Sequence, residues 1–166
     1  MNDQAKAQAF AVDPADTETY WQPKPANGYA EVHISRRHHE TLSDFESGVQ
    51  VVAPGCYIRE HAHSAHEEVI HVIEGNGTAS IDGEETPIGP GCTVYLGPLR
   101  AHKIMNTGSG PLRLFWVLMP GGLSEFFSEI GRPRTPGGAA PEPFERPADV
   151  AAIEQRTVYA PNPTPE

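Results

Sequence analysis

Short runs of alternating apolar and polar residues, interrupted by glycine and proline, fill the middle of the chain. Ala30, Val32 and Ile34 alternate with polar neighbours and predict a first strand. Further strands are predicted at residues 49–52, 56–61, 69–74, 78–82, 85–88, 92–96, 102–106 and 112–119. Gly75-Asn76-Gly77 and Asp82-Gly83 carry the dipeptide chemistry of tight hairpin turns, and Pro54-Gly55 and Gly89-Pro90-Gly91 turn the chain elsewhere. About nine short strands at such close intervals predict an all-β sandwich or small barrel.

The period changes after Pro120-Gly121-Gly122. Leu123, Phe126, Phe127 and Ile130 recur at helical spacing, and Gly131-Arg132-Pro133 forms a stop. An amphipathic helix is therefore expected over residues 121–131, covering an open end of the barrel. Residues 1–28 read as a mostly irregular N-terminal arm containing Pro14, Pro23 and Pro25, with Trp21 as its anchor on the barrel or a partner subunit. The barrel is expected over 29–120. Residues 132–166 form a Pro-rich tail, read as extended and wrapping its own subunit or a neighbour, with a brief helical pattern at 148–155.

Composition sharpens this picture. The 16 glycines and 17 prolines suit a turn-rich β protein, and 166 residues suffice for one domain with tails. A formal net charge of -10 argues against nucleic acid or an anionic membrane as the main partner. The longest apolar run, 114–119, is far too short to span a bilayer. Cys56 and Cys92 are widely spaced and read as buried reduced thiols, and the polar N-terminus has no apolar signal core. A cytoplasmic location is the resulting expectation.

The candidate chemistry lies between Gly55 and Asn106. His61 and His63 are two apart in a strand-like stretch, so their imidazoles project from one face. Two imidazoles side by side repel when protonated, and a divalent metal ion is the usual reason to pair them. A carboxylate, Glu67 or Glu68, follows within a few residues. Strict alternation from His63 favours Glu67; the intervening turn and the spacing to Gly75 favour Glu68. A helical zinc-protease motif beginning at His66-Glu67 fails, because the position that needs its second histidine is Ile70. His38 and His39 are adjacent, point opposite ways in an extended chain, and read as exposed or rim residues, while His33 falls on the polar face of its strand.

The run Gly55-x5-His61-x-His63-x4-Glu68-x6-Gly75 resembles the first signature of the cupin superfamily position for position. The second signature, G-x5-P-x-G-x2-H-x3-N, aligns as Gly91-x5-Gly97-x-Leu99-x2-His102-x3-Asn106, with Gly97 and Leu99 replacing its central proline and glycine. The helix after the barrel also looks like that of small single-domain cupins of the quercetin dioxygenase-like kind. The resemblance implies a double-stranded β-helix, or jelly-roll barrel, with a short C-terminal helix and extended arms. It implies one divalent metal ion held by His61, His63, Glu68 and His102. Such a donor set suits Fe, Mn, Ni, Co or Zn. Glu68 is the candidate catalytic base. Tyr57 and Arg59 share strand parity with His61, and with Trp116 they are expected to line the substrate pocket.

The expected activity is that of a dioxygenase acting on a small metal-chelating enol, hydroxyketone or flavonol. The alternatives are an O2-independent isomerase, lyase or decarboxylase, and a non-catalytic barrel that binds a small ligand. A homodimer is expected by the same resemblance.

Overall fold

Inward-facing apolar residues dictate the architecture, and the computed structural model, which describes residues 8–160, shows where each run settles. After a short 3-10 turn at Pro14–Asp16 come β1 (Glu18–Trp21), β2 (Tyr29–Ile34), β3 (Glu46–Val52), β4 (Tyr57–His61) and β5 (Glu67–Glu74). β6 (Gly77–Ile81), β7 (Glu84–Ile88), β8 (Thr93–Leu96), β9 (His102–Asn106) and β10 (Leu112–Met119) complete the barrel. Helix α1 (Leu123–Ile130), the two-residue β11 (Arg132–Pro133) and helix α2 (Val150–Arg156) follow.

The strands form two antiparallel sheets. The larger has the order β11-β1-β2-β3-β10-β5-β8 and the smaller β4-β9-β6-β7. Val52, Ile70, Val72, Ile104, Leu112 and Leu114 fill the space between them, each nearly inaccessible to solvent. β10 shows the alternation most clearly: Leu112, Leu114, Trp116 and Leu118 are buried, whereas Arg113, Phe115 and Val117 are only partly so. Asn106 ties the end of β9 to its surroundings, donating to the Val52 and Gly110 carbonyls and accepting from Gly108 N–H.

Helix α1 buries Leu123, Phe126, Phe127 and Ile130 against Trp116, Leu118, Val32 and Ala30. Its first turn is capped from β3, because buried Glu46 accepts from Ser124 N–H at 2.8 Å and from Ser124 Oγ at 2.6 Å. Glu46 and Ser47 look polar in sequence, so the strand predicted at 49–52 begins earlier, at the residue that serves α1. Gly48 is also needed there: a Cβ would lie 1.9 Å from the Glu31 carbonyl oxygen and 2.7 Å from the Trp116 ring.

The N-terminal arm is irregular over most of its described residues, but residues 18–21 form β1, paired to β2 and β11 inside the larger sheet. Helix α2 overlaps the helical pattern read at 148–155, and the tail lacks helix and strand over residues 134–149. It runs back over the barrel, where Lys24 N–H donates to the Phe144 carbonyl at 2.9 Å and Arg132 stacks over the Phe144 ring. It then forms α2, which rests on α1 through Ile153, and Val158 just beyond it joins the same cluster. Its last described residues join the barrel: Tyr159 bridges His63, and Ala160 N–H donates to the Ala62 carbonyl at 2.8 Å.

No described helix is long and apolar enough to cross a membrane.

Candidate metal centre

β4, β5 and β9 each bring side chains to one end of the barrel. His61 ends β4 and lies directly across from His102, the first residue of β9. His63 follows two residues later, and Glu68 is the second residue of β5. All four are buried, and one donor atom from each falls within 4.8 Å of all the others. Glu68 Oε2 sits 3.3 Å from Nε2 of both His63 and His102. The His61 and His102 ring centroids are 4.1 Å apart.

The orientation of the rings is set by the main chain. His61 Nδ1 lies 2.8 Å from the Arg59 carbonyl, His63 Nδ1 3.0 Å from that of Val158, and His102 Nδ1 2.9 Å from that of Arg100. A carbonyl only accepts, so each Nδ1 must carry the proton, and each neutral ring then presents an unprotonated Nε2. Nε2 of His102 is buried and makes no hydrogen bond of good geometry. This pattern, in which one ring nitrogen is anchored and the other bare, is how metal-binding histidines are held. The residues present therefore fit a divalent cation.

Electrostatics agree. Burial, reinforced by the neighbouring His102 and His63, holds the His61 imidazole well below its ordinary value, so it stays neutral. Burial pushes the Glu68 carboxyl up, but the His102 and His63 side chains against it outweigh that and hold the group well below the usual carboxylate range. A neutral His61 imidazole and an ionised Glu68 carboxylate are the ligand forms a metal needs.

The choice between the two carboxylates follows from position. Glu67 is exposed and accepts from the Tyr95 hydroxyl at 3.0 Å, on the outside of the sheet. Glu68 points inward.

A cavity of about 60 Å³, measured to the centres of the waters it can hold, opens on the four residues. At ~10–15 Å³ per water position, it holds a few waters or one small molecule. Phe126, Phe127, Leu123 and Ile130 of α1 give it an apolar wall; Gln22, Gln50, Arg59, Arg146 and Tyr159 supply polar atoms.

Of the three pocket residues expected from sequence, only Arg59 lines this cavity. Tyr57 faces away, with Lys103 Nζ 4.6 Å from its ring centroid. The pairing of β4 with β9 slips between Ile58 and His61, and this irregularity breaks the parity that linked Tyr57 to His61. Trp116 does point inward, but Phe127 packs across it at 5.8 Å between centroids and takes the wall position instead.

Tyr159 and Arg146 were missed, since both belong to a tail without hydrophobic periodicity. The Tyr159 ring lies 4.9 Å from that of His61 and 5.4 Å from that of His63. Burial pushes its phenol up, so it remains a protonated donor. Of the remaining histidines, His38 lies 2.8 Å from Glu18, His39 stacks on Phe10, partly buried His33 faces Glu31 and His71 bonds Thr93, whereas the His66 ring lies 6.0 Å from that of His63.

Two antiparallel sheets wrapped around a core, with this site at one end and a short C-terminal helix beside it, make the fold a cupin double-stranded β-helix. Residues 48–118 match the family model described as a cupin domain. The barrel is similar in structure to an uncharacterized conserved protein with a double-stranded β-helix domain from Klebsiella pneumoniae. The TM-score is 0.53 and the identity 24%, covering 70% of this chain and 92% of that one.

Among curated proteins, the chain is 33% identical over 70 residues to the uncharacterized protein MJ1618 of Methanocaldococcus jannaschii, covering 42% of this chain and 56% of the relative. It is 32% identical over 104 residues to a glucose-6-phosphate isomerase of Thermococcus kodakarensis, covering 55% and 54%. It is 30% identical over 79 residues to the quercetin 2,3-dioxygenase of Bacillus subtilis, covering 48% and 23%. The chain spans about half the length, or less, of these curated relatives.

Proposed function

We propose that this protein is a metal-dependent enzyme acting on a small molecule whose adjacent oxygens chelate the ion, with O2 as co-substrate. One divalent cation, held by His61, His63, Glu68 and His102, would supply Lewis acidity and lower the pKa of a substrate hydroxyl. The observation that carries the reading is the set of three imidazoles, each with Nδ1 on a main-chain carbonyl, gathered with Glu68 so that one donor atom from each lies within 4.8 Å of the others.

This chain's residues do the rest. Glu68 is the carboxylate in the site that would take up the proton that enolisation releases, once substrate draws it off the imidazoles that hold its basicity down. Leu123, Phe126, Phe127 and Ile130 exclude bulk water from that proton transfer. Tyr159, protonated and over His61, donates to a substrate oxygen. The cavity volume favours a small enol or hydroxyketone; a three-ring flavonol would need the tail displaced.

Oxygen-electrode measurements on protein reconstituted in turn with Fe, Mn, Ni, Co and Zn test this reading across small β-diketones and hydroxyketones. Uptake dependent on metal and Glu68 is expected; product formed equally under anaerobic conditions would favour an isomerase or lyase. Similarity to a named isomerase over 104 residues makes that second outcome the natural rival. A homodimer belongs to the same proposal, and a mass measurement in solution tests it.

A further inference from the structure

Two guanidinium groups in the cavity wall share one carboxylate. Arg59 comes from β4, Arg146 from the tail and Glu154 from α2, and both arginines engage the same oxygen, Glu154 Oε1, through Nη2. Arg59 also donates to the Glu60 carbonyl at 3.2 Å, and its guanidinium lies 5.7 Å from the Tyr159 ring centroid. The side chains of Arg59 and Arg146 are only 24% and 21% exposed, and that of Glu154 13%. Lys24, the other cation on the lining, is matched by Glu145 at 2.6 Å.

The imbalance has a chemical meaning. Two largely buried cations set against one anion leave a surplus positive charge beside the metal centre. Glu68 does not offset it, because that carboxylate is committed to the imidazoles. A buried unpaired charge is costly, so such a surplus is retained where something complements it. Guanidinium is the side chain best shaped to receive a carboxylate through paired N–H donors, and one oxygen of Glu154 uses few of those available.

We propose that the cavity selects small anionic substrates, in which a carboxylate docks on the Arg59–Arg146 pair while the chelating oxygens of the same molecule face the metal. This rests on the chelation reading above and adds the substrate's charge to it. Arg146 is then a specificity-determining residue supplied by the C-terminal tail, and Glu154 is a competitor that weakens the pair's hold on the incoming carboxylate.

The test uses the full chain loaded with Co(II) and two probes, acetopyruvate and its methyl ester. Both present the same β-dicarbonyl chelate, and only the acid carries the charge. Binding is read from the change in the visible Co(II) spectrum, independently of turnover. The unaltered protein should bind the acid at least about tenfold more tightly than the ester. Arg146→Gln should reduce that preference severalfold with ester affinity unchanged, whereas Glu154→Gln should raise acid affinity.

Opposite signs in the two variants separate recognition from a structural role, since loosening the tail would move both the same way. The acid–ester comparison in the unaltered protein needs no variant to fold. Equal affinity for acid and ester would overturn the anionic selectivity and leave the chelation reading standing. A spectrum moved by neither probe would overturn both.

Discussion

Glu68 and His102, residues of opposite sheets, meet with Oε2 3.3 Å from Nε2 at the end of the barrel. The contact joins the larger sheet, through β5, to the smaller one, through β9. A site built this way inherits the rigidity of both sheets, because His61, Glu68 and His102 sit at or next to strand ends and His63 is fixed by its bridge to Tyr159. It also makes the contribution of each residue separable by substitution.

Replacing His102 by Ala, or Glu68 by Gln, should lower metal occupancy after dialysis from about one ion per chain to a small fraction, as one of four ligands is lost. Glu67→Ala is the internal control, because Glu67 bonds Tyr95 on the outer surface. Elemental analysis of the three variants decides it, and loss of metal in Glu67→Ala would contradict the assignment.

Acid should unfold the metal-free protein in two stages. His61 is held well below its ordinary value of 6.5, so below that pH the unfolded chain takes up a proton that the folded chain refuses. Glu68 is likewise held below its ordinary 4.5, so below that pH the unfolded chain again binds more protons. Stability falls wherever the unfolded state binds the excess, by up to ~1.4 kcal/mol per pH unit for each group. Tm at fixed ionic strength should therefore fall as pH drops through 6.5 and continue falling below 4.5. His61→Ala should remove the contribution of the upper window; an unchanged profile in that variant would assign the window elsewhere.

Much of the fold was legible because it depends on local alternation. Strands β9 and β10 match their predicted bounds, and helix α1 lies within the predicted span 121–131, since each has an apolar period with Gly or Pro close by. His61 and His63 were legible for the same reason, whereas Glu68 was read over Glu67 from the intervening turn and the spacing to Gly75, against strict alternation. What failed involves contacts distant in sequence. Tyr57 was misassigned because the slip in β4 leaves no mark in the residue pattern. Trp116 was misassigned because Phe127, eleven residues on, covers it. Arg146 and Tyr159 reach the cavity from a segment whose prolines erase any period, and His63 and Tyr159 are paired across 95 intervening residues.

That long-range pairing has a measurable consequence. The His63 ring is anchored by the Val158 carbonyl at 3.0 Å, a main-chain atom supplied by the tail. A chain ending at Thr157 loses this acceptor, and metal affinity should fall roughly 10–100-fold, the usual cost of removing a partner behind a ligand. Tyr159→Ala keeps the carbonyl and should retain affinity within a small factor. Competition with a chelator of known affinity measures both. Equal losses in the two would mean that covering the site, not anchoring His63, is what matters.

The remaining prediction concerns a strained turn. Leu99 occupies the position at which the second cupin signature has glycine, and its φ of 62° is left-handed. Its N–H donates to the His63 carbonyl at 2.8 Å, so the turn is held against the metal centre in this conformation. A left-handed backbone costs an L-residue about 1–2 kcal/mol, whereas glycine adopts it freely but gives up ~0.5–1 kcal/mol in chain entropy. The side chain is 67% exposed, so little core packing is lost on removing it. Leu99→Gly should therefore stabilise the protein by roughly 0.5–1 kcal/mol, a rise in Tm of about 1–4 °C for a chain of this size. Leu99→Ala, which keeps the Cβ and hence the strain, should change Tm little. Thermal melts of both variants distinguish the backbone from the side chain: a glycine variant that melts lower would mean that the leucine makes contacts worth more than the strain it imposes.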